Sequence, residues 1–374
     1  MRPMLVIIPF NLPWDHTADY THQTSEILSR NHTVVCYMCK EAKSVKECVI
    51  HKDKRMFLNT YKKQYLYFPL YILPFRRFRF IDRINIVINV CILRALMWWK
   101  FRREAFVKKI IWTFDPEQTF LIKQFGSSYE TVYDCVDYHG GQLEKALIAT
   151  CAHFFVNSHV LYRLHRKQRR DAILVPQGFR LSDFLSFSIK RRKNSKPIIG
   201  YVGGINNRLD YALLHNLVQR TPEYEYMFIG PIQTQGDKHF ETTIQPQIDT
   251  LFSYANVHHV ANVPKKDIPS IIERFDVAII PYRADALYNR YSYPTKVFEY
   301  FYMGKPVVAT PIDELKRYPR YVRIGATADE WMRQISNLFM SSWSDSYIHE
   351  QRRLASANSW EEKIHTIIRN IKKD

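Results

Sequence analysis

Tyr293-Pro294-Thr295-Lys296-Val297-Phe298-Glu299-Tyr300 runs on through Gly304-Lys305-Pro306 into Val307-Val308-Ala309-Thr310, and this stretch carries more of the fold and the chemistry than any other. Lys296 and Glu299 stand three residues apart, which puts both on one face of a helix's first turns. Pro294 falls where the helix begins, a place where its missing N–H costs nothing. A helix N-terminus attracts anions and Lys296 adds a full positive charge beside it, so a diphosphate fits there. Glu299, one turn further on, is placed to accept two hydrogen bonds from a ribose diol. Gly304 ends the helix, and 306–310 reads as a buried strand. An ordinary helix–strand unit with a surface Lys and Glu has the same spacing, so the surroundings decide.

Working outward, short apolar runs recur with helical material between them. In the first half they are 5–8, 33–38, 109–114, 131–135, 153–157 and 172–175; in the second, 197–202, 225–229, 256–260, 276–280, 306–310 and 320–324. Continuous apolar strands alternating with helices specify parallel sheets covered on both faces. Two such series in 374 residues give an α/β chain of two Rossmann-like domains, with a ligand cleft facing the carboxyl ends of the strands. The basic, broken stretch 186–196 between them reads as a linker, which sets the domains at 1–190 and 191–354.

Charge separates the two halves. Residues 1–196 hold 33 Lys+Arg against 16 Asp+Glu, a net of +17, whereas the remaining 178 hold 21 against 20, a net of +1. The first half is therefore suited to an anionic partner. Within it, 61–110 interleaves Tyr65, Tyr67, Phe68, Phe78, Phe80, Trp98 and Trp99 with Arg76, Arg77, Arg79, Arg83, Arg94 and Lys100. The apolar run 84–99 is too short and, with Asn85, Asn89 and Arg94, too polar to span a bilayer. Basic and aromatic residues flanking apolar helices fit an anionic membrane surface, with ordinary helix core as the competing reading. Nucleic acid is not expected, since no RRM, KH or helix-turn-helix pattern is present.

All six cysteines lie in the basic half, and Cys36-x-x-Cys39 has no second pair to complete a zinc site, so reduced thiols are expected and no metal. The apolar start Leu5-Val6-Ile7-Ile8 is too short for a signal peptide and reads as a first core strand, which points to a cytoplasmic compartment.

In the second half, Ile198-Ile199-Gly200-Tyr201-Val202 ends in Gly203-Gly204, and Arg208 follows. Glycines there let backbone N–H groups approach a phosphate, with Arg208 as a charged clamp. Further turns come at Gly230-Pro231 and at Val263-Pro264, and a strand closes on Pro281-Tyr282 just before the opening stretch. This order of pieces resembles the nucleotide-sugar-binding domain of GT-B-fold glycosyltransferases, in particular bacterial enzymes of the teichuronic-acid and xanthan-glucuronosyltransferase type. The likeness is strongest over 197–315 and weaker in the first half, where Tyr133–Tyr138 and the Trp360 segment match.

The resemblance implies a UDP-sugar donor. Glu299 would bind the ribose, Lys296 and Arg208 the diphosphate, Val263 the uracil through its backbone, and Tyr293, Gly203 and Gly204 would complete the pocket. It also implies a C-terminal helix crossing back, so that 355–374 packs on the first domain, and no metal or other cofactor. One departure stands out. Many retaining relatives carry Glu-x7-Glu, but the position eight before Glu299 is Tyr291. Retaining chemistry is therefore not implied.

On the acceptor side, Tyr133-Asp134-Cys135-Val136-Asp137-Tyr138-His139-Gly140-Gly141 ends a strand in a glycine turn. Carboxylates and a histidine at a strand's carboxyl end suit general-base work. Asp137, just past the strand, is the first choice, with His139 and Asp134 behind it; a plain helix cap would use the same residues. Asp15 and His16 in the first loop are further candidates. The expectation is an inverting, metal-independent transfer of a sugar from a UDP-sugar to a lipid-linked acceptor at the inner membrane face. A UDP-sugar 2-epimerase-like enzyme or a non-enzymatic membrane- or nucleic-acid-binding adaptor is the alternative. A glucuronate donor would need one more basic residue, and Arg283 and Arg290 are at hand.

Overall fold

A computed structural model describes residues 3–14, 20–44, 57–73, 78–187, 194–233, 240–261 and 263–372. The chain divides into two compact units. One comprises Met1–Asn157, Leu161–Val175 and Ile364–Asp374; the other comprises Ser158–Val160 and Pro176–Lys363. Asp15, His16, Cys48, Arg76 and Arg77 lie outside the described residues.

Unit one is built on strands β1 (Leu5–Phe10), β2 (Thr33–Met38), β4 (Phe57–Tyr61), β5 (Gln64–Tyr67), β7 (Lys109–Thr113), β8 (Glu130–Cys135), β9 (His153–Val156) and β10 (Ile173–Leu174), while β3 (Lys43–Ser44) pairs with β6 (Leu70–Tyr71) apart from them. The sheet order is β10-β9-β8-β7-β1-β2-β5-β4, parallel throughout except for the antiparallel edge strand β4. Every residue of β1 and β2 is buried, as a strand covered on both faces requires. Strand order reverses between β1 and β7, so the loops leaving these two strands flank the crevice where such sheets take ligands.

The helices of this unit are α1 (Tyr20–Ser29), α2 (Arg79–Phe101), α3 (Thr119–Gln124), α4 (Gln142–Thr150) and α5 (His159–His165), the first two residues of α5 being assigned to the other unit. The aromatic-basic region proves to be two things. Residues 57–67 form a hairpin that extends the sheet, turning at Lys62 with a positive φ of 48°, and Tyr67 is fully buried. Tyr67 is thus core and not part of an outward patch, because β5 pairs with β2 and turns it inward. Helix α2 carries a long outward apolar face. Its two asparagines, out of place in an apolar run, dock it. Asn89 accepts the Leu70 N–H at 2.7 Å and donates to the Leu70 carbonyl at 2.7 Å, and Asn85 accepts from Ile72 and Leu73 at 3.1 and 2.9 Å. Buried amides that satisfy backbone groups in this way fix the helix against its neighbour. Among the described residues no helix is long and apolar enough to cross a membrane.

His32, buried at the end of α1, accepts the Met4 N–H on Nδ1 at 3.2 Å. Burial, with Lys372 and Lys63 nearby, pulls its pKa from 6.5 to about 4. The folded chain holds it neutral while the unfolded chain protonates it, so its contribution is complete above pH 6.5 and is lost as pH falls toward about 4. Thermal unfolding followed across that window is expected to show a falling Tm, and His32→Asn is expected to flatten the slope.

Unit two is built on β11 (Ile198–Val202), β12 (Glu225–Ile229), β13 (Val257–Val260), β14 (Val277–Ile280), β15 (Val307–Ala309) and β16 (Val322–Ile324), all parallel in the order β13-β12-β11-β14-β15-β16. Its helices are α6 (Tyr211–Arg220), α7 (Gln245–Phe252), α8 (Ile268–Glu273), α9 (Leu287–Tyr291), α10 (Lys296–Tyr302), α11 (Ala328–Met340), α12 (Asp345–Ala357) and α13 (Trp360–Ile371), the last running on into residues that belong to unit one. Here the order reverses between β11 and β14.

Unit two begins at Pro176, ahead of the basic stretch read as a linker. The reason is aromatic packing: Phe179 and Phe184 pack against Tyr302, with ring centroids 6.1 and 5.8 Å apart, and Phe179 also meets Phe298. Phe179 further exchanges backbone hydrogen bonds with Asn358 and Trp360, at 3.1 and 3.0 Å. Gly178 allows that approach, since a Cβ there would lie 2.7 Å from the Trp360 Cα.

Candidate functional site

The site in unit two lies at its strand-order reversal. Chain leaving β11 passes through Gly203 and Gly204; chain leaving β14 passes through Pro281 and Tyr282. Gly203 has φ +141° and donates its N–H to the Ile229 carbonyl at 2.8 Å. Gly230, φ +139°, is pressed so closely on Gly203 that a Cβ would fall 2.2 Å from the Gly203 carbonyl oxygen. Only glycine suits either position.

Lys296 opens α10 and reaches back to this turn. Its Nζ lies 3.9 Å from the Tyr201 ring centre and 4.8 Å from that of Tyr282, and a Cβ on Gly203 would meet it at 2.5 Å. The ammonium is thus held between two aromatic faces against the bare backbone of the glycine turn, and the residue is only 9 % exposed. Burial lowers the Lys296 pKa, while Tyr282 and Glu299 pull it back up. Glu299, half-buried, has its pKa raised by burial against the opposing charges of Lys296 and Lys265. A buried cation is costly to hold, and beside a side-chain-free glycine turn it is an arrangement able to take an anion. Because α10 has only seven residues, any attraction for an anion here would come chiefly from the lysine charge and not from the helix dipole.

Arg208 stacks on Tyr288 at 5.4 Å, and its carbonyl accepts from the Asn289 amide at 3.0 Å and the Arg283 N–H at 2.8 Å. Val263 is half-buried beside the apolar core of unit two. Tyr293 is 6 % exposed, stacks on Phe298 and shares a short hydrogen bond with the Tyr318 hydroxyl, so its side chain is spent on packing and not on a ligand. Arg283 is paired with Asp285 at 2.9 Å, whereas Arg290 is exposed. Sequence reading passed over Tyr201 and Tyr282 as lysine-flanking rings. Their signal was positional: Tyr201 is the penultimate residue of β11 and Tyr282 follows β14 by two, the two strands at the reversal.

In unit one the loop after β8 carries Asp137, half-buried, and His139, exposed. Asn157 donates to the Val136 carbonyl at 2.8 Å, and Gly140, at φ +69°, donates its N–H to Glu144 at 2.7 Å, which holds the loop at both ends. Asp134 is different. It sits within β8 at zero exposure, so a substrate cannot reach it, and Asp137 is left as the carboxylate candidate of this loop. At the β1/β7 reversal, Asn11 makes a short hydrogen bond to Asp115 and accepts from Gln118 at 2.5 Å. Asn11 and Gln118 border a cavity of about 260 Å³ whose lining also includes Tyr37, Lys40, Asp82 and Asn89. A small cavity with many amide, hydroxyl and charged groups suits a polyhydroxylated ligand. No local sequence pattern marks it, because its walls come from loops and helices far apart in the chain.

The family described as Glycosyl transferases group 1 matches residues 196–339. The putative teichuronic acid biosynthesis glycosyltransferase TuaH of Bacillus subtilis is 25% identical over 167 residues, 44% of this chain and 40% of that protein. The matched part thus spans about two fifths of that relative's length. Among solved structures, sucrose-phosphate synthase from Thermosynechococcus elongatus is similar with a TM-score of 0.71 at 14% identity, covering 99% of this chain and 98% of its own. Anabaena Alr3699/HepE, in complex with UDP and glucose, gives 0.67 at 11% identity, covering 99% and 98%. At such identities the structural likeness speaks for the fold. Residues 196–339 thus match the family of glycosyl transferases group 1, within a chain whose two sheets are those of the GT-B glycosyltransferase fold.

Proposed function

We propose that the chain is a glycosyltransferase that moves a sugar from a UDP-sugar to a lipid-linked glycan or polysaccharide precursor, with inversion and with Asp137 as the base. The observation that carries the donor half is Lys296, its ammonium held between Tyr201 and Tyr282 against Gly203. Lys296 and Arg208 take the diphosphate and stabilise it as it leaves, Glu299 takes the ribose diol, and the backbone of Val263 takes the uracil. HepE, a neighbour in fold, holds UDP, which supports the choice of nucleotide. In the acceptor half, Asp137 removes the proton of the acceptor hydroxyl as that oxygen forms its bond to the anomeric carbon and the bond to UDP breaks. The absence of a first glutamate in the Glu-x7-Glu position, where Tyr291 stands, supports inversion. The role assigned to TuaH in teichuronic acid biosynthesis supports a cell-envelope polymer as destination. The test is UDP release from purified protein with each UDP-sugar, with and without a polyprenyl-diphosphate-linked glycan. Release that depends on both supports the proposal; UDP-sugar isomerisation without any acceptor would instead favour the epimerase reading.

A lipid-linked acceptor calls for attachment at the membrane surface, and α2 is the element suited to it. Phe80, Ile84, Val87 and Trp98 fall along one outward stripe of this 23-residue helix, at 63%, 42%, 39% and 73% exposure, and Trp99 beside it is 62% exposed. Arg79, Arg83, Arg94 and Lys100 border the stripe and are exposed. Apolar area between cations matches an interfacial helix on an anionic leaflet. Flotation with anionic liposomes is expected to recover the wild type at low salt. Phe80→Ala with Trp98→Ala is expected to cut that recovery at least several-fold, and raised salt is expected to weaken it further. Equal recovery of the double variant would remove α2 from the account.

A further inference from the structure

Three side chains that the transfer reaction does not use converge beneath the Asp137 loop. Cys135 is the last residue of β8, Glu144 lies in the first turn of α4, and His165 ends α5. The Cys135 Sγ is 3.7 Å from Glu144 Oε1 and 4.0 Å from His165 Nε2, and that nitrogen is 3.8 Å from the same carboxylate oxygen. All three are buried, at 0, 2 and 5 % exposure. A thiol, an imidazole and a carboxylate facing one another at such distances enclose a single point.

We propose that Cys135, Glu144 and His165 form a structural metal site for Zn²⁺. The donor set of one sulfur, one nitrogen and one oxygen suits zinc above the hard cations, which take oxygen alone. Zinc bonds of about 2.3 Å to sulfur and about 2.0 Å to nitrogen and oxygen, at tetrahedral angles, put these donors about 3.3–3.6 Å apart. Each observed separation exceeds this by only a few tenths of an ångström, so small side-chain movements inward close the site around an ion. The Asp137 carbonyl oxygen, which accepts from the Cys135 thiol at 3.3 Å, is the group proposed as a fourth donor once that thiol is deprotonated.

The surroundings have the form that metal ligands need. The Glu144 carboxylate is oriented by two donors, the Tyr133 hydroxyl at 3.0 Å on Oε1 and the Gly140 N–H at 2.7 Å on Oε2. Tyr133 is itself fully buried and stacked on Phe154, whose edge meets the His165 ring. On binding, the thiol gives up its proton to solvent and the resulting thiolate, with the carboxylate, neutralises the ion's two charges. Because no donor is exposed, a substrate cannot reach the ion, and it takes no part in the transfer chemistry. Its effect is to tie β8, α4 and α5 together under the loop that carries Asp137 and His139. The site holds whether or not the transfer reading is correct, since it stands on this cluster alone.

Cobalt, which takes the same ligands and is coloured, is the probe. The full chain is stripped with a chelator and titrated with Co²⁺, then with Zn²⁺ as competitor, with thermal unfolding followed alongside. The expected result is a stoichiometric thiolate-to-cobalt charge-transfer band, its displacement by Zn²⁺, and a Tm several degrees higher with either ion. Cys135→Ser and His165→Ala are expected to abolish the band, while Cys36→Ala, which removes a buried thiol of β2, keeps it. A folded wild type that gives no charge-transfer band, or a band that persists in Cys135→Ser, overturns the proposal. Since the wild type alone suffices for the first of these outcomes, poor folding of a variant does not shelter it.

Discussion

Replacing Lys296 with alanine is expected to weaken UDP binding by about 10- to 150-fold, the range for a lost charged hydrogen bond of about 1.5–3 kcal/mol. The reason is local. The Lys296 ammonium is held by the faces of Tyr201 and Tyr282 directly against the Gly203 turn, where the missing side chain leaves room for the proposed diphosphate beside the charge. Arginine at this position is not expected to restore affinity. The space in front of the glycine turn is so tight that even a Cβ on Gly203 would lie 2.5 Å from Nζ, and a guanidinium is wider than an ammonium. Calorimetric titration of UDP into wild type, Lys296→Ala and Lys296→Arg reads all three. Unchanged affinity in the alanine variant would remove the lysine from the donor site.

Asp137→Asn is expected to lower kcat by about 10²–10⁴-fold, the usual contribution of a general base, with UDP affinity unchanged. Asparagine keeps the shape of the loop and its hydrogen bonds but cannot accept the acceptor's proton. Asp134→Asn serves as the contrast. Asp134 is wholly buried in β8, so its replacement is expected to move the melting temperature more than the chemical step. His139→Ala separates the remaining candidate: this exposed ring is expected to be replaceable with a small loss. Steady-state rates and UDP titrations on the three variants distinguish these roles. A fully active Asp137→Asn would contradict the assigned base.

Much of the fold could be read directly because parallel strands covered on both faces show as unbroken apolar runs. Leu5–Phe10, Thr33–Met38 and Ile198–Val202 are of this kind, and each forms a strand where its run lies. The hairpin Phe57–Tyr67 escaped the same reading. Its edge strand β4 is only half covered, with residues 59–61 exposed, so its composition is mixed. The domain junction was displaced for a related reason. The charge run after residue 186 is conspicuous, but unit two already begins at Pro176, because Phe179 and Phe184 pack on Tyr302, which leaves no compositional mark.

The candidate sites divide in the same way. Lys296, Glu299, Gly203 and Gly204 were legible because a glycine turn and a Lys-x-x-Glu helix start have local spacing. Asn11, Asp115 and Gln118 were not, since they meet only where strand order reverses between β1 and β7. Cys135, Glu144 and His165 likewise belong to three elements and have no ligand spacing along the chain. Spacing rules work for ligands on one turn or one hairpin and are blind to those that topology assembles.

The central claim is that the second unit binds a UDP-sugar through the glycine turn and α10. It is tested most directly by thermal unfolding of the wild type and Glu299→Ala with UDP, GDP, ADP and their sugars at saturating concentration. The account requires a rise in Tm with the uridine nucleotides that is selective over the others and is lost or much reduced in Glu299→Ala. No rise with any nucleotide, or an equal rise in the variant, would contradict it.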